Sequence, residues 1–120
     1  MKTPLYVLVS GSREWNEVDK MKDEIMKLPK EAIIVEGGSY GAERCAAYVA
    51  ISNKYRVREY LADWDFHGKQ AGHIRNEEML KKYKISIALI FHKNIQNSQG
   101  NTKHLINLLQ KEKIPYMIFR

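Results

Sequence analysis

The stretch "ADWDFHGKQAGHIRN", residues 62–76, carries two Asp, two His, a Trp, two Gly, a Lys, an Arg and an Asn. Each residue type suggests a task. Lys69 and Arg75 offer positive charge to a phosphate, and a guanidinium beside a helix start suits that group best. Asn76 sits beside it at the same helix start. Asp63 can accept from a sugar hydroxyl or an amine. Gly68 and Gly72 let the chain fold tightly over a ligand. Trp64 and Phe66 either stack on a base or plug the core at a sheet edge. Asp63, Asp65, His67 and His73 raise the question of a metal. Their spacing matches no standard ligand pattern, so no metal is expected. "HGKQ" is not a P-loop, because the upstream Gly is missing and Gln70 stands where Ser or Thr is needed.

Three other short stretches carry similar residues. Gly11-Ser12-Arg13 combines backbone freedom, a hydroxyl and a cationic fork. Its plainer reading is a tight turn with Arg13 in a surface ion pair. Gly37-Gly38-Ser39 with Gly41 and Glu43 reads as a phosphate cradle at a helix start, or as a Gly-rich turn with Ser39 as N-cap. Gly100-Asn101-Thr102 combines backbone freedom with a capping hydroxyl. None of these has the spacing of the dinucleotide fingerprint.

The elements that must position these stretches alternate. Apolar runs at 5–10, 32–36, 85–92 and 115–119 read as buried parallel strands. "RVREYL" (56–61) alternates more and reads as an edge strand. Helices are expected at 17–28, from Ala42 onward, at 74–83 and at 102–113, the first with Asn16 as N-cap and Pro29 as its stop. Alternating strands and helices imply a parallel sheet. The expected fold is α/β: a three-layer Rossmann-like sandwich of five mainly parallel strands and four helices, forming one domain over residues 1–120. All four special stretches then follow C-terminal strand ends, where ligands bind in such sheets. The loops that carry them, 10–14, 36–44, 62–76 and 92–102, hold every glycine and three of the four histidines. The opposite connections, such as "LPKE" and "SNKY", are short and plain.

Composition bounds the rest. The 120 residues are 44% hydrophobic and 28% charged, ordinary for a globular domain. The single cysteine, Cys45, excludes an internal disulfide and a Cys-rich zinc site. With no signal-peptide core in "MKTPLYVLVSGSR" and no membrane span, a cytoplasmic protein is expected. A net charge of +6 favours anionic partners.

Taken in order along the chain, these motifs resemble the SLOG superfamily, and within it the small YpsA-related single-domain branch. They are Gly11-Ser12-Arg13, Gly37-Gly38 with Gly41-Ala42-Glu43, Ala62-Asp63-Trp64, Gly68-Lys69, Ala71-Gly72 and Arg75-Asn76 with Met79. Glu43 stands where the family pattern has Asp, and Asn101 where it has Gly before Thr102. The resemblance implies a nucleotide or nucleotide-derived ligand at the rim, and a pocket often built at a homodimer interface. Phosphoribohydrolases of the superfamily carry a glutamate three residues past the Thr; here that position is Leu105. A binding module acting as sensor, carrier or sequestering protein is therefore expected first, with no cofactor. The second reading is a hydrolase of nucleotide or ADP-ribose type, with Asp63, Glu43 or Glu36 as carboxylate and Arg75 beside it. The third is single-stranded nucleic-acid binding.

Overall fold

The computed structural model describes residues 4–95 and 100–120. The part of the last rim loop expected at 96–99 lies outside them. In chain order the elements are β1 (Tyr6–Gly11), α1 (Val18–Ile25), β2 (Ile33–Glu36), α2 (Ala42–Ser52), β3 (Arg56–Glu59), α3 (Trp64–His67), a 3-10 turn (Gly68–Gln70), α4 (Ala71–Lys82), β4 (Ile85–Phe91), α5 (Asn101–Lys111) and β5 (Tyr116–Phe119). The strands form one sheet in the order β3-β2-β1-β4-β5. Every pairing is parallel, so the sheet is wholly rather than mainly parallel.

Right-handed crossovers dictate the layers. Alternate strand residues face opposite sides. Val7, Val9, Ile34 and Phe91 pack with Met21 and Ile25 of α1 and Ala46 and Val49 of α2. Leu8, Val35, Ala88 and Ile90 pack with Met79 of α4 and Leu105 and Leu109 of α5. Each large apolar side chain buried this way stabilises by about 1.5–3 kcal/mol. The small residues of α2 at positions 42, 46 and 50 are fully buried and let that helix lie close to the sheet.

Four helices of eight or more residues match the expected number. The stretch after β3 differs from a plain loop, because it winds into α3 and the 3-10 turn before α4 begins. Helix α1 starts one residue late, with Glu17 rather than Asn16 at its N-cap and no side-chain cap. Strand β3 lies at an edge, with Arg56, Arg58 and Glu59 exposed. Its ladder continues one step past the strand through Tyr60 N–H to Glu36 O at 2.8 Å. The chain order reverses between β1 and β4, which run side by side up to Gly11 opposite Phe91. Their ends define the crevice where a doubly wound sheet holds its ligand.

Candidate functional site

A cleft of about 620 Å³ opens at that crevice. It takes Gly11, Ser12, Arg13 and Glu14 from β1's exit, and Ser39 and Glu43 from α2's approach. Trp64, Lys69, His73 and Arg75 come from the stretch after β3. His92, Asn94, Gly100, Asn101 and Thr102 come from β4's exit and the start of α5. The four special stretches of sequence thus converge on one cavity.

Its rear wall is built from buried polar groups. Arg75 is only 3% exposed. Its Nη1 donates to Gly37 O at 2.9 Å and lies 3.7 Å from Glu43 Oε1, and its Nε donates to Asn76 Oδ1 at 3.0 Å. Glu43 in turn accepts from Ser39 N–H at 3.0 Å and from Ser10 Oγ at 3.2 Å. Glu36 accepts from Gly38 N–H at 2.6 Å. The Gly-rich loop therefore has its Gly38 and Ser39 amides bound to carboxylates, not open as a cradle. Likewise Ser12 N–H donates to Phe91 O at 2.9 Å. Gly41, at φ 80°, lets the start of α2 press against the backbone of Ser12 and Arg13, where Ala42 N–H reaches Ser12 O at 2.9 Å.

The opposite wall is α5. Thr102 does not cap its own helix; its Oγ1 donates to Gly11 O at 3.0 Å and ties α5 to β1. Asn76 Nδ2 donates to Asn101 O at 3.1 Å. Gly72 leaves the space the Asn101 side chain fills. The first turn of α5 lines the cleft, and first-turn amides have no acceptor within their own helix.

Asp63 is not in the cleft. It caps α3 by accepting from Phe66 N–H at 3.0 Å. It lines a separate recess with Glu59, His67, Glu78 and Lys82. Glu36 is fully buried below the rim, and Leu105 lies in the core. Trp64 borders the cleft at 47% exposure, while Phe66 is 81% exposed. Among the described residues, no three His, Cys, Asp or Glu side chains gather so as to hold a metal ion. No described helix is long and apolar enough to cross a membrane.

Glu14, His73, His92 and Asn94 join the cleft beyond the expected ligand-binding set. A positional signal marks them: Glu14 closes β1's exit, His92 opens β4's, and His73 lies one helical turn after Lys69.

Glu36 makes a stability prediction. Burial pushes its carboxyl from 4.5 up to about 8, the neighbouring Glu59 carboxylate adds to this, and the Gly38 amide opposes it. Glu36 Oε2 is buried without a hydrogen-bond partner. A folded-state pKa above the unfolded one means the folded chain holds the extra proton. Stability from this group is then full below about pH 4.5 and declines as pH rises toward 8, by an amount on the order of 3–5 kcal/mol. Glu36→Gln is expected to flatten that decline, and urea midpoints measured from pH 5 to 8.5 check it.

An all-parallel α/β sheet with its cleft at the β1/β4 reversal defines the class: a Rossmann-like domain. The sequence pattern of the YspA, cpYpsA-related SLOG family (YAcAr) matches residues 5–67. "Gene 61 protein" of Mycobacterium phage D29 is 34% identical over 122 residues, covering 94% of each chain. The chain belongs to this SLOG family. The fold is also that of DNA processing protein A (DprA) from Streptococcus pneumoniae, with a TM-score of 0.60 at 15% identity. That likeness covers 95% of this chain and 58% of the other. Membership points broadly to a nucleotide-related function.

Proposed function

We propose that the cleft binds a phosphate-bearing nucleotide or nucleotide derivative and holds it intact, as a sensor, carrier or sequestering module. The observation that carries this is the division of labour among the cations. Arg75 is already engaged by Gly37, Asn76 and Glu43. Arg13 and Lys69, both exposed, line the same cleft. The buried guanidinium shapes the wall, and the exposed cations take the phosphate. Trp64 at the mouth offers a face for a base.

The missing carboxylate favours binding over turnover. Cleavage of an N-glycosidic bond needs a carboxylate beside the developing positive charge. Leu105 occupies the usual position and Asp63 lies in another recess. Among the described residues, Glu43 is the one buried carboxylate lining the cleft, and Ser10, Ser39 and Arg75 already occupy it. It carries the second reading, a hydrolase. A homodimer, expected from the resemblance, is a proposal of the same kind, tested by light scattering.

Arg13→Ala with Lys69→Ala is expected to abolish thermal stabilisation by any nucleotide that raises the wild-type melting temperature. A ligand at 100 times its Kd contributes about 2.7 kcal/mol to the native state. The ligand-free variant is expected to melt with the wild type, since both side chains are exposed. Equal stabilisation of variant and wild type by a nucleotide panel would rule out this assignment of the cations.

A further inference from the structure

His73 and His104 stack face to face, with ring centroids 4.0 Å apart and planes 6° from parallel. His73 projects from α4, is exposed and lines the cleft; His104 lies behind it on α5, half-buried. The Asn76 amide nitrogen lies 3.5 Å from His104 Nδ1. Through Asn76, which also accepts from Arg75 Nε, the pair adjoins the rear wall's hydrogen-bond network.

We propose that His73 makes the cleft selective for a terminal phosphate dianion over a phosphodiester, by taking up one proton as the dianion binds. The inference rests on the proposed function and names the class of ligand. Two imidazolium rings at this separation repel strongly, so the pair accommodates a single proton. Burial and the neighbouring His73 hold His104 below the ordinary histidine value, against an opposing pull from Glu77. His73 is the ring of the pair that faces the cleft, so it is the one a bound anion reaches. Arg13, Lys69, Arg75 and His92 are the other basic groups lining that space, and Glu14 and Glu43 its acids. With Arg75 bound to protein groups, two exposed fixed cations remain for the ligand. Offset by the exposed Glu14 carboxylate, they leave a net fixed charge of one in the cleft, which matches the single charge of a diester at every pH considered. A monoester is a dianion above about pH 6, and its second charge draws the proton onto His73.

The test is a histidine C2–H NMR titration of the intact chain between pH 5.5 and 9. The probes are inorganic phosphate, adenosine 5′-monophosphate and adenosine 3′,5′-cyclic monophosphate, and His73→Gln assigns the resonance. Phosphate and the monoester are expected to raise the His73 midpoint by about one unit, and the cyclic diester to leave it in place. Monoester affinity is then expected to rise about threefold between pH 8.5 and 7, and to lose that rise in His73→Gln. Monoester binding with an unmoved His73 midpoint overturns the inference and leaves the proposed function standing. A midpoint raised by inorganic phosphate alone, with no nucleotide bound, supports His73 and overturns nucleotide binding. No binding of any probe at any pH overturns both.

Discussion

Arg75→Ala is expected to lower the stability of the fold by about 3–5 kcal/mol, the cost of removing one partner from a buried ion pair. The guanidinium donates to Gly37 O at 2.9 Å and Asn76 Oδ1 at 3.0 Å. Its removal strands the Glu43 carboxylate, itself 6% exposed, without its neighbouring positive charge. The cavity left behind adds to the cost. Urea unfolding reads this directly, as a lowered midpoint with an unchanged slope. Arg75→Lys keeps the charge but cannot span Gly37 and Asn76 together, so it is expected to fall between the two. A wild-type midpoint for the Ala variant would mean that the Gly37–Arg75–Glu43 wall is not what holds the rim.

Gly11→Ala carries the second large effect. A Cβ there would fall on the Phe91 carbonyl oxygen, 2.8 Å from the carbonyl carbon and 2.9 Å from Ala42 Cβ, at a backbone φ of 152°. The obstructing atoms are mostly backbone, so nothing flexible can yield. Relief requires β1 and β4 to part at the crevice, which breaks Ser12 N–H to Phe91 O and Thr102 Oγ1 to Gly11 O. A loss of about 3 kcal/mol or more is expected. Gly68→Ala is the control. Its φ is also positive, at 61°, yet a Cβ there meets nothing within 4 Å. Only the backbone penalty applies, about 1–3 kcal/mol for a φ 61°, ψ -135° conformation that glycine alone adopts readily. Thermal melts of the two variants side by side separate collision from backbone strain.

The sheet was legible because its strands announce themselves locally. Runs such as "LYVLVS" and "ISIALIFH" have no other use in a chain of this size than burial on both faces. The gathering of Gly, Arg and Lys after strand ends marks the rim on which the cleft opens. What the sequence left hidden depends on distance across the fold. Nothing near Arg75 says that its guanidinium meets Gly37, a residue 38 positions away. Nothing in "EGGSYGAER" says that Glu36 and Glu43 claim the loop amides first. Asp63 reads as a ligand group because it ends a strand. Its capping of α3 was invisible, since a four-residue exposed helix has no apolar periodicity to betray it.

The central claim is that the cleft retains a phosphate-bearing nucleotide derivative intact. The most direct measurement incubates the purified chain with a pooled extract of mono- and dinucleotides, NAD, ADP-ribose and cyclic forms. Unbound material is washed away, bound material is released by heat, and both fractions are read by mass spectrometry. A phosphate monoester enriched unchanged by the wild type, and not by the Arg13→Ala, Lys69→Ala variant, is the expected result. A compound depleted from the pool, with a free base or ribose phosphate in its place, would contradict the account and move attention to Glu43.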